Sequence, residues 1–223
     1  MVARAIQRPI AFADEVRLLA HEKDPALLLD RDGVILFVND AWDRFARENG
    51  GGERVAASTL VGTRWFDHIA GDVPRRLHRL LFERAVRRLG PASHGGVVQL
   101  NEANGPDTAR LVATHLEPVL GPNDSLTGIA VIHRVVRELP LSDVYPLAAG
   151  DDSRWTGPDG QIEQCSCCRR VRRPDEPEEW DLVPGLVAEP PGSVRFGYCA
   201  LCLELHYAAG VGVERELEDD PVA

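Results

Sequence analysis

The feature that most constrains this chain is the placement of its cysteines. All five lie between positions 165 and 202, and four of them form two C-x-x-C units, Cys165 with Cys168 and Cys199 with Cys202. Two thiolates on one tight turn reach the same tetrahedral ion, so two such turns supply the four sulfurs of a closed structural site. Cysteines that cross-link a secreted domain are usually spread through it instead. The sequence therefore predicts one structural metal ion bound by these four residues.

The donor set also restricts the identity of the ion. Four soft thiolates suit both zinc and iron, but paired knuckles are typical of zinc ribbons, so zinc is expected and a mononuclear iron site stays an alternative. Residues 161–209 are too few to bury much apolar core. Such a module depends on its metal, which contributes on the order of 10 kcal/mol to the folding of small zinc peptides. His206, shortly after Cys202, is a reserve ligand only.

Cys167 is a fifth thiol that a four-cysteine site does not need. It can replace Cys165 or Cys168 as a ligand, act as a reactive thiol, or be a bystander. A reactive role would follow from a pKa lowered by the ion and by the neighbouring Arg169 and Arg170.

Ahead of the cysteines, the hydrophobic pattern begins with a helix and a hairpin. Residues 11–23 predict an amphipathic helix that docks on its own domain or on a second copy. Two apolar runs, 26–29 and 34–38, flank an Asp-Gly turn, which is a strong hairpin signal. Asn39 then provides N-cap chemistry for a helix that closes near Asn49. The apolar stripe of the leading helix consists of Phe12, Val16, Leu18 and Leu19.

Further elements follow in the same way. We expect a short helix over 63–70, a long amphipathic helix over 72–90, and strands over 96–101, 109–119 and 126–136. The predicted domain organisation is a leading helix (1–24), a domain (25–138), a linker rich in proline, glycine and acids (139–160), the cysteine module (161–209) and an acidic tail (210–223).

The element order of residues 25–138 resembles the PAS sensor family. DPALLLDRDGVILFVNDAWDRFARENGG is similar to the opening hairpin and first helix of PAS domains, with Asn39 and Ala41 at the matching positions. VGTRWFDHI resembles the short helices that follow, and residues 111–134 resemble the last two strands. The resemblance implies an α+β fold in which a five-stranded antiparallel sheet with helices over one face encloses a pocket for a small ligand or cofactor.

Several side chains are candidates for lining that pocket, with plain core as the competing interpretation. Some relatives bind haem through a histidine on the long helix, where His78 lies, although a histidine beside arginines is more often solvated. The flavin photoreceptor branch needs a reactive cysteine, which this domain lacks, so covalent flavin chemistry is not expected. His133 falls in a predicted strand, where a satisfied histidine is the simpler interpretation. The candidates are Trp42, Phe45, Trp65, Phe66, His78, Leu81 and His115.

The cysteine segment resembles a short module that follows PAS domains in bacterial sensor kinases and related regulators. CSCCRRV, Trp180 and GYCALC carry this similarity, and Cys167 stands where the family has an aromatic residue. The chain is thus expected to combine a PAS-like sheet with a small zinc-ribbon-like module.

Charge and missing signatures restrict the function. The net charge of -10 argues against a general nucleic-acid binder, and the acids after the arginine run 169–173 favour local ion pairing. No apolar run of about 18 residues and no secretory signal occurs, so we expect a cytoplasmic protein without a membrane span. Lys23 is the only lysine among the 25 basic residues, a skew that points to a bacterial source. We find no phosphate loop, no kinase or cyclase signature and no nucleophile with an evident base, which predicts a protein that is not an enzyme.

The preferred function is a signalling sensor or adaptor. Its PAS domain would bind a small molecule or a protein partner such as a histidine kinase or regulator, and its leading helix would form a homodimer. Two alternatives stay open: a thiol-based redox switch, indicated by Cys167, and a nucleic-acid-binding regulator, indicated by the arginine run.

Overall fold

The computed structural model describes residues 10–49, 51–87, 96–121 and 124–205. Their contacts divide the chain into two compact units. The first unit takes its described residues from Met1–Ile69, Leu77–Val98 and Thr114–Arg134, and the second from Ala70–Arg76, Gln99–Ala113 and Val135–Ala223. The predicted acidic tail and His206 lie outside the described residues. The predicted domain limits stay predictions.

The described ranges contain helices and strands at most of the predicted places. The expected short helix over 63–70 is a 3-10 turn, Trp65–His68. No helix in these ranges is long and apolar enough to cross a bilayer. The helices are α1 (Ile10–Ala20), α2 (Asp40–Glu48), α3 (Ala57–Leu60), α4 (Asp72–Arg87), α5 (Leu141–Val144), α6 (Pro184–Ala188) and α7 (Ala200–Leu203). The strands are β1 (Ala26–Leu29), β2 (Ile35–Val38), β3 (Val97–Glu102), β4 (Thr108–Leu120), β5 (Leu126–Pro140), β6 (Ile162–Cys165), β7 (Val171–Arg172), β8 (Trp180–Asp181) and β9 (Val194–Gly197).

The turn between β1 and β2 is built by its own side chains. The carboxylate of Asp30 accepts from the amides of Asp32 and Val34, both at 2.8 Å. Gly33 has a φ of +78°, and a Cβ at this position would come within 2.7 Å of the Phe66 ring. Glycine is therefore required both by the backbone conformation and by the close approach of an aromatic ring.

Asn39 fastens the start of α2 to the segment between α1 and β1. It is 2% exposed, and its Oδ1 accepts from the amides of Trp42 and Ala26, each at 3.0 Å. Its Nδ2 donates to backbone carbonyls, including that of Asp24 at 2.9 Å and that of Leu19 at 3.2 Å. The predicted N-cap is confirmed, and the same amide also organises the chain before the first strand.

Replacing Asn39 with alanine is expected to lower the free energy of unfolding by about 2–3 kcal/mol, because an N-cap is lost and buried backbone groups lose their partner. Urea denaturation followed by tryptophan fluorescence measures this change. Asn49→Ala, at an exposed position at the other end of α2, is the matched control and should change stability by roughly 0.5 kcal/mol or less. Equal losses in the two variants would contradict the role assigned to Asn39.

The first five strands form one antiparallel sheet in the order β2-β1-β5-β4-β3. Strand β1 pairs antiparallel with β2 and with β5, for example Leu28 with Ala130. Between β3 and β4 the amide of Gly105 donates to the carbonyl of Thr108, and at the end of β4 the amide of Gly121 donates to the carbonyl of Ser125. This sheet with its flanking helices confirms the predicted α+β fold class.

The two faces of the sheet bury different residues. The inner face packs Leu27, Leu116 and Val131 against Leu81 and Phe82 of α4. The outer face receives α1, whose Leu19 is 3% exposed and joins Leu28 and Ile132. Val16 packs there too, whereas Leu18 is 67% exposed and does not pack on this sheet. The side chain of Phe12 lies outside the described residues.

The second unit has a small sheet of its own in the order β8-β7-β6-β9. Strand β6 pairs antiparallel with β7 and parallel with β9. Its core is formed by Trp155, Ile162, Val171, Val183 and Leu186. Within the stretch expected to be a linker, α5 is helical and Trp155 is fully buried.

Candidate metal centre

The first C-x-x-C unit forms a tight turn at the end of β6. The amide of Cys165 donates to the carbonyl of Arg170, and the amide of Arg169 donates to the carbonyl of Cys165 at 3.0 Å. Arg169 adopts a φ of 65°, which reverses the chain so that it can return as β7. The sulfurs of Cys165 and Cys168 are thereby brought to one side of a single turn.

The second unit begins just after β9. Cys199 is the N-cap of α7, and its Sγ accepts from the amide of Cys202 at 3.4 Å. Because β6 and β9 are parallel, with Cys165 opposite Gly197, both strands deliver their turns to the same edge of the small sheet. The parallel pairing therefore brings together two cysteine pairs that are far apart in sequence.

The four sulfurs surround one point. All of them lie within 4.8 Å of one another, and the Sγ atoms of Cys168 and Cys199 are 3.6 Å apart. Four sulfurs at ~2.3 Å from a tetrahedral ion would be about 3.8 Å apart, so the arrangement fits such an ion. The four cysteines are at most 2% exposed, which is the environment of a closed site without an open coordination position.

The thiols of the cluster hydrogen-bond to one another, and these bonds shift their pKa values. The Cys168 thiol donates to Cys165, and this hydrogen bond lowers the pKa of Cys165 and raises that of Cys168. Cys167 is 8% exposed, and hydrogen bonds to Cys165 and Cys167 raise the pKa of the Cys202 thiol. Cys167 thus contacts the cluster, although the sulfurs that converge on one point belong to the other four.

Polar and aromatic side chains from other parts of the second unit surround the cysteine cluster. Asn104 is 5% exposed and donates to the carbonyl of Cys168 at 3.0 Å. The guanidinium of Arg170 lies over the ring of Tyr145, 4.5 Å from its centroid, and its Nη1 is 3.8 Å from a carboxylate oxygen of Glu102. Burial opposes the charge of Arg170, but Cys168 and Glu102 hold its pKa above the ordinary value. Sequence reasoning treated Asn104 only as a turn residue and missed Glu102 and Tyr145 altogether, because no local pattern marks them.

Two further arginines of the basic run, Arg172 and Arg173, are held by acids. Arg172 pairs with Glu163 at 3.2 Å, and Arg173 makes contacts of 2.7 Å with both carboxylate oxygens of Asp181. Arg173 also pairs with Glu176 at 2.6 Å, which confirms the expected local pairing, although most partners lie outside the acidic run 175–179. These contacts give no support to phosphate binding by the run.

The residues predicted to line a pocket in the PAS-like domain differ in where the structure places them. Trp65, Phe66 and Leu81 are buried in the inner core, and Trp42 packs against them. The ring of His78 meets that of Trp65 edge-on at 5.4 Å. Among the described residues of α2, Phe45 is half-buried and does not belong to this core cluster. His115 is not brought to this face, since it alternates along β4 with the inner-facing Leu116 and lies 3.8 Å from Glu117.

The sequence placed His133 in a strand and favoured a satisfied histidine, an expectation that its Nε2 does not meet. It lies on β5 with its ring 5.6 Å from that of Trp42, and its Nδ1 is 3.1 Å from the hydroxyl of Thr114. The residue is half-buried, but its Nε2 is buried and has no hydrogen-bond partner among the described residues. Burial, and then the charge of His78, lowers the pKa of His133 to about 4.

Stability is therefore expected to fall as the pH decreases from 6.5 towards 4. In that window the unfolded chain binds a proton on His133 and the folded chain does not, which costs about 2 kcal/mol at pH 5. Urea unfolding at pH 7 and pH 5 measures the loss, and His133→Gln should reduce it. His21→Gln removes an exposed imidazole and should leave the pH dependence unchanged. A wild-type pH dependence in His133→Gln would contradict the assignment.

Comparison with known proteins finds similarity in structure only. No family model and no curated protein matches the chain. The PAS domain of Bordetella pertussis BvgS is 20% identical, covering 56% of this chain and 86% of its own, with a TM-score of 0.42. A PAS domain from Colwellia psychrerythraea is 13% identical, covering 56% and 96%, with a TM-score of 0.38. The Rhodobacter sphaeroides LOV protein is 13% identical, covering 56% and 66%, with a TM-score of 0.40.

The assignment of the fold rests on this chain's own architecture. Its five strands, their order and the antiparallel pairing of β1 with both neighbours form the sheet, and helices flank it. The sequence signatures around Asn39 occupy the hairpin and N-cap that the resemblance implies. The chain thus contains a PAS-like domain and, after it in the sequence, a cluster of four buried cysteines.

Proposed function

We propose that this protein is a non-enzymatic signalling sensor or adaptor whose cysteine module is built on one structural zinc ion. The observation that carries the proposal is the convergence of Cys165, Cys168, Cys199 and Cys202 on one buried point. Four thiolates in a closed site favour zinc in a structural role. Nothing in such a site offers a coordination position to a substrate, so the metal would hold the fold and the PAS-like domain would receive the signal.

Charge is the second argument for a metal in this place. Four thiolates around one divalent ion carry two excess negative charges, which are costly to bury without a counterion. Arg170 provides a buried guanidinium next to Cys168. Without negative thiolates beside it, Arg170 would keep two of its contacts, the carboxylate of Glu102 and the ring of Tyr145. The donor set and its counterion therefore fit together.

The PAS-like domain would bind a small ligand or a protein partner such as a histidine kinase or regulator. Support for a ligand comes from its inner face, where the Trp42 ring meets His133, whose buried Nε2 has no partner among the described residues and could accept a hydrogen bond from a ligand or donate one to it. Binding would shift the population between two packings of the sheet and its helices.

The proposed compartment is the cytoplasm, because buried cysteines in paired C-x-x-C units without disulfides fit a reducing environment. A homodimer formed through α1 stays part of the proposal.

Elemental analysis and the absorption spectrum of the purified full chain test this function. One zinc per chain without a visible band is the expected result. A Soret band would indicate haem and make His78 its candidate ligand, which would extend the proposal to the PAS-like domain. Absence of any metal from protein purified under reducing conditions would overturn the zinc site.

A thiol-based redox switch is the second candidate function, favoured by the contact between Cys167 and Cys202. In this scheme hydrogen peroxide takes two electrons from the Cys167 and Cys202 thiolates and two protons from water, its O–O bond breaks to give two water molecules, the two sulfurs form a disulfide, and zinc leaves the site. Zinc release after treatment with hydrogen peroxide can be followed with a chromogenic chelator. Cys167→Ser should release zinc more slowly than the wild type if Cys167 takes part, and at the same rate if it is a bystander.

A further inference from the structure

We propose that Asn104 couples the metal centre to the β3–β4 hairpin, so that metal occupancy controls the order of this end of the large sheet. The inference rests on the proposed zinc site and concerns contacts within the second unit. The Nδ2 of Asn104 donates to the carbonyl of Cys168 at 3.0 Å and to the carboxylate of Glu102 at 2.9 Å. Its Oδ1 accepts from the amide of Arg110 at 3.0 Å. One buried amide thus joins a cysteine knuckle to both strands of a hairpin.

Backbone hydrogen bonds also hold the tip of the hairpin. Beyond the strand ends, the amide of Gly105 donates to the carbonyl of Thr108, and the amide of Ala103 donates to the carbonyl of Arg110. The amide of Arg110 has the Asn104 side chain as its acceptor. The position of Asn104 is therefore set by the hairpin on one side and by the knuckle on the other.

A charged network strengthens the same connection. Glu102 accepts from Asn104 and from the Tyr145 hydroxyl, and it lies beside the guanidinium of Arg170, which in turn is next to Cys168. The side chains of Glu102 and Arg170 are 14% and 13% exposed, so water screens their interaction little. The carboxylate on β3 and the thiolates of the proposed zinc site thus share one counterion.

A second attachment lies at the residues that precede α4. Gly71 has a φ of +89°, and a Cβ there would come within 2.4 Å of the carbonyl oxygen of Phe196, at the end of β9. The hydroxyl of Ser166 donates to the carbonyl of Ala70 at 3.5 Å. Ser166 of the first C-x-x-C turn and Phe196 of β9 therefore both contact the segment just before α4 within the second unit.

Loss of the metal would free the first knuckle and remove the fixed acceptor of Asn104. The buried amide would then lose one of its two acceptors, and the counterion Arg170 would lose the negative thiolates beside it. The coupling is reciprocal. The factor by which bound metal shifts the hairpin's equilibrium towards the ordered state equals the factor by which an ordered hairpin raises the affinity for the metal. The structure thus assigns to Asn104 the role of transmitting metal occupancy to the β3–β4 hairpin.

Hydrogen exchange of the full chain, with zinc and after chelation, tests the coupling. In the wild type the amides of Ala103, Gly105 and Arg110 should exchange roughly 5–150-fold faster after zinc is removed. The amide of Gly121, in the β4–β5 turn of the first unit, is the internal reference and should change little. In Asn104→Ala the zinc-dependent change at the hairpin should largely disappear while zinc still binds at one ion per chain, with lower affinity.

Asn101→Ala is the matched control, because the Asn101 amide donates to the neighbouring Glu102 carbonyl on the same strand. It should keep the wild-type response. If Asn104→Ala fails to fold, Asn104→Asp keeps an acceptor for Arg110, removes the donor to Cys168 and should give the same uncoupling. A wild-type chain that binds no metal would overturn the zinc proposal itself. A chain that binds zinc but shows no zinc-dependent exchange at the hairpin would overturn only the coupling.

Discussion

Serine in place of Cys202 is expected to abolish stoichiometric zinc binding and to unfold much of the second unit. The variant replaces one of four converging, fully buried sulfurs with a hydroxyl, which is a poor zinc ligand. The loss of affinity should exceed the roughly 100-fold that the removal of an outer-shell partner can cost. Because zinc contributes on the order of 10 kcal/mol to the folding of small zinc modules, the structural effect should be correspondingly large.

Competition with a chromogenic chelator measures the affinity, and circular dichroism during heating measures the loss of structure. Cys167→Ser is the matched control, since it removes a buried thiol of the same cluster that does not converge with the other four. It should retain one zinc per chain. If Cys167→Ser loses zinc and Cys202→Ser keeps it, the ligand set proposed for the site is wrong.

Alanine at Trp155 is expected to destabilise the zinc-loaded protein by about 3–5 kcal/mol, the usual cost of removing a large buried aromatic side chain. Trp155 is 0% exposed and lies in the core of the second unit. Its Nε1 donates to the carboxylate of Asp181 at 2.8 Å, and that carboxylate also accepts from Arg173. Truncation therefore empties a core position and removes one partner from the half-buried carboxylate of Asp181.

Urea denaturation with zinc present throughout measures this loss. Trp155→Phe keeps most of the volume and removes the indole donor, so it should cost less, about 1–2 kcal/mol. An unchanged midpoint in Trp155→Ala would show that the stretch 139–160 acts as a linker after all. A loss confined to zinc-free protein would show that the metal alone sustains the unit.

Local chemistry made the first half of the chain predictable. The carboxylate of Asp30 and the freedom of Gly33 build the hairpin from neighbouring residues, and Asn39 caps the helix that follows. The same applies to α4, whose apolar spacing predicted a helix over 72–90 and whose described residues are helical over Asp72–Arg87. Each of these elements depends on contacts over a few positions, which a sequence pattern records directly.

The second half depends on contacts that no local pattern records. The stretch around Trp155 contains prolines, glycines and acids, yet a single tryptophan enters a core assembled from residues up to Leu186. Likewise, the C-x-x-C spacing indicated a metal site, but the parallel pairing of β6 with β9 is a tertiary feature. Leu18 and Leu19 are adjacent apolar residues, and only packing on the sheet decides which one is buried.

The candidate site shows the same division. The four converging cysteines were identifiable from the sequence, because two thiolates on one tight turn reach the same ion when they are spaced as C-x-x-C. Asn104, Glu102 and Tyr145 reach the cluster from distant positions and carry ordinary side chains, so they became visible only in three dimensions. His133 was noticed as a strand residue, but its buried Nε2 is a property of its surroundings.

The parallel pairing of β6 and β9 separates the geometry of the metal centre from the length of the chain between its halves. Each knuckle is positioned by the strand that precedes it, and the exposed turn before β9 contains Gly192, where an added Cβ would meet nothing within 4 Å. Closing a connection twice as long costs only about 0.6 kcal/mol more. Related modules can therefore diverge widely in the size of this connection while keeping the same four sulfurs in register, and spacing between the two C-x-x-C units is a poor criterion for recognising them.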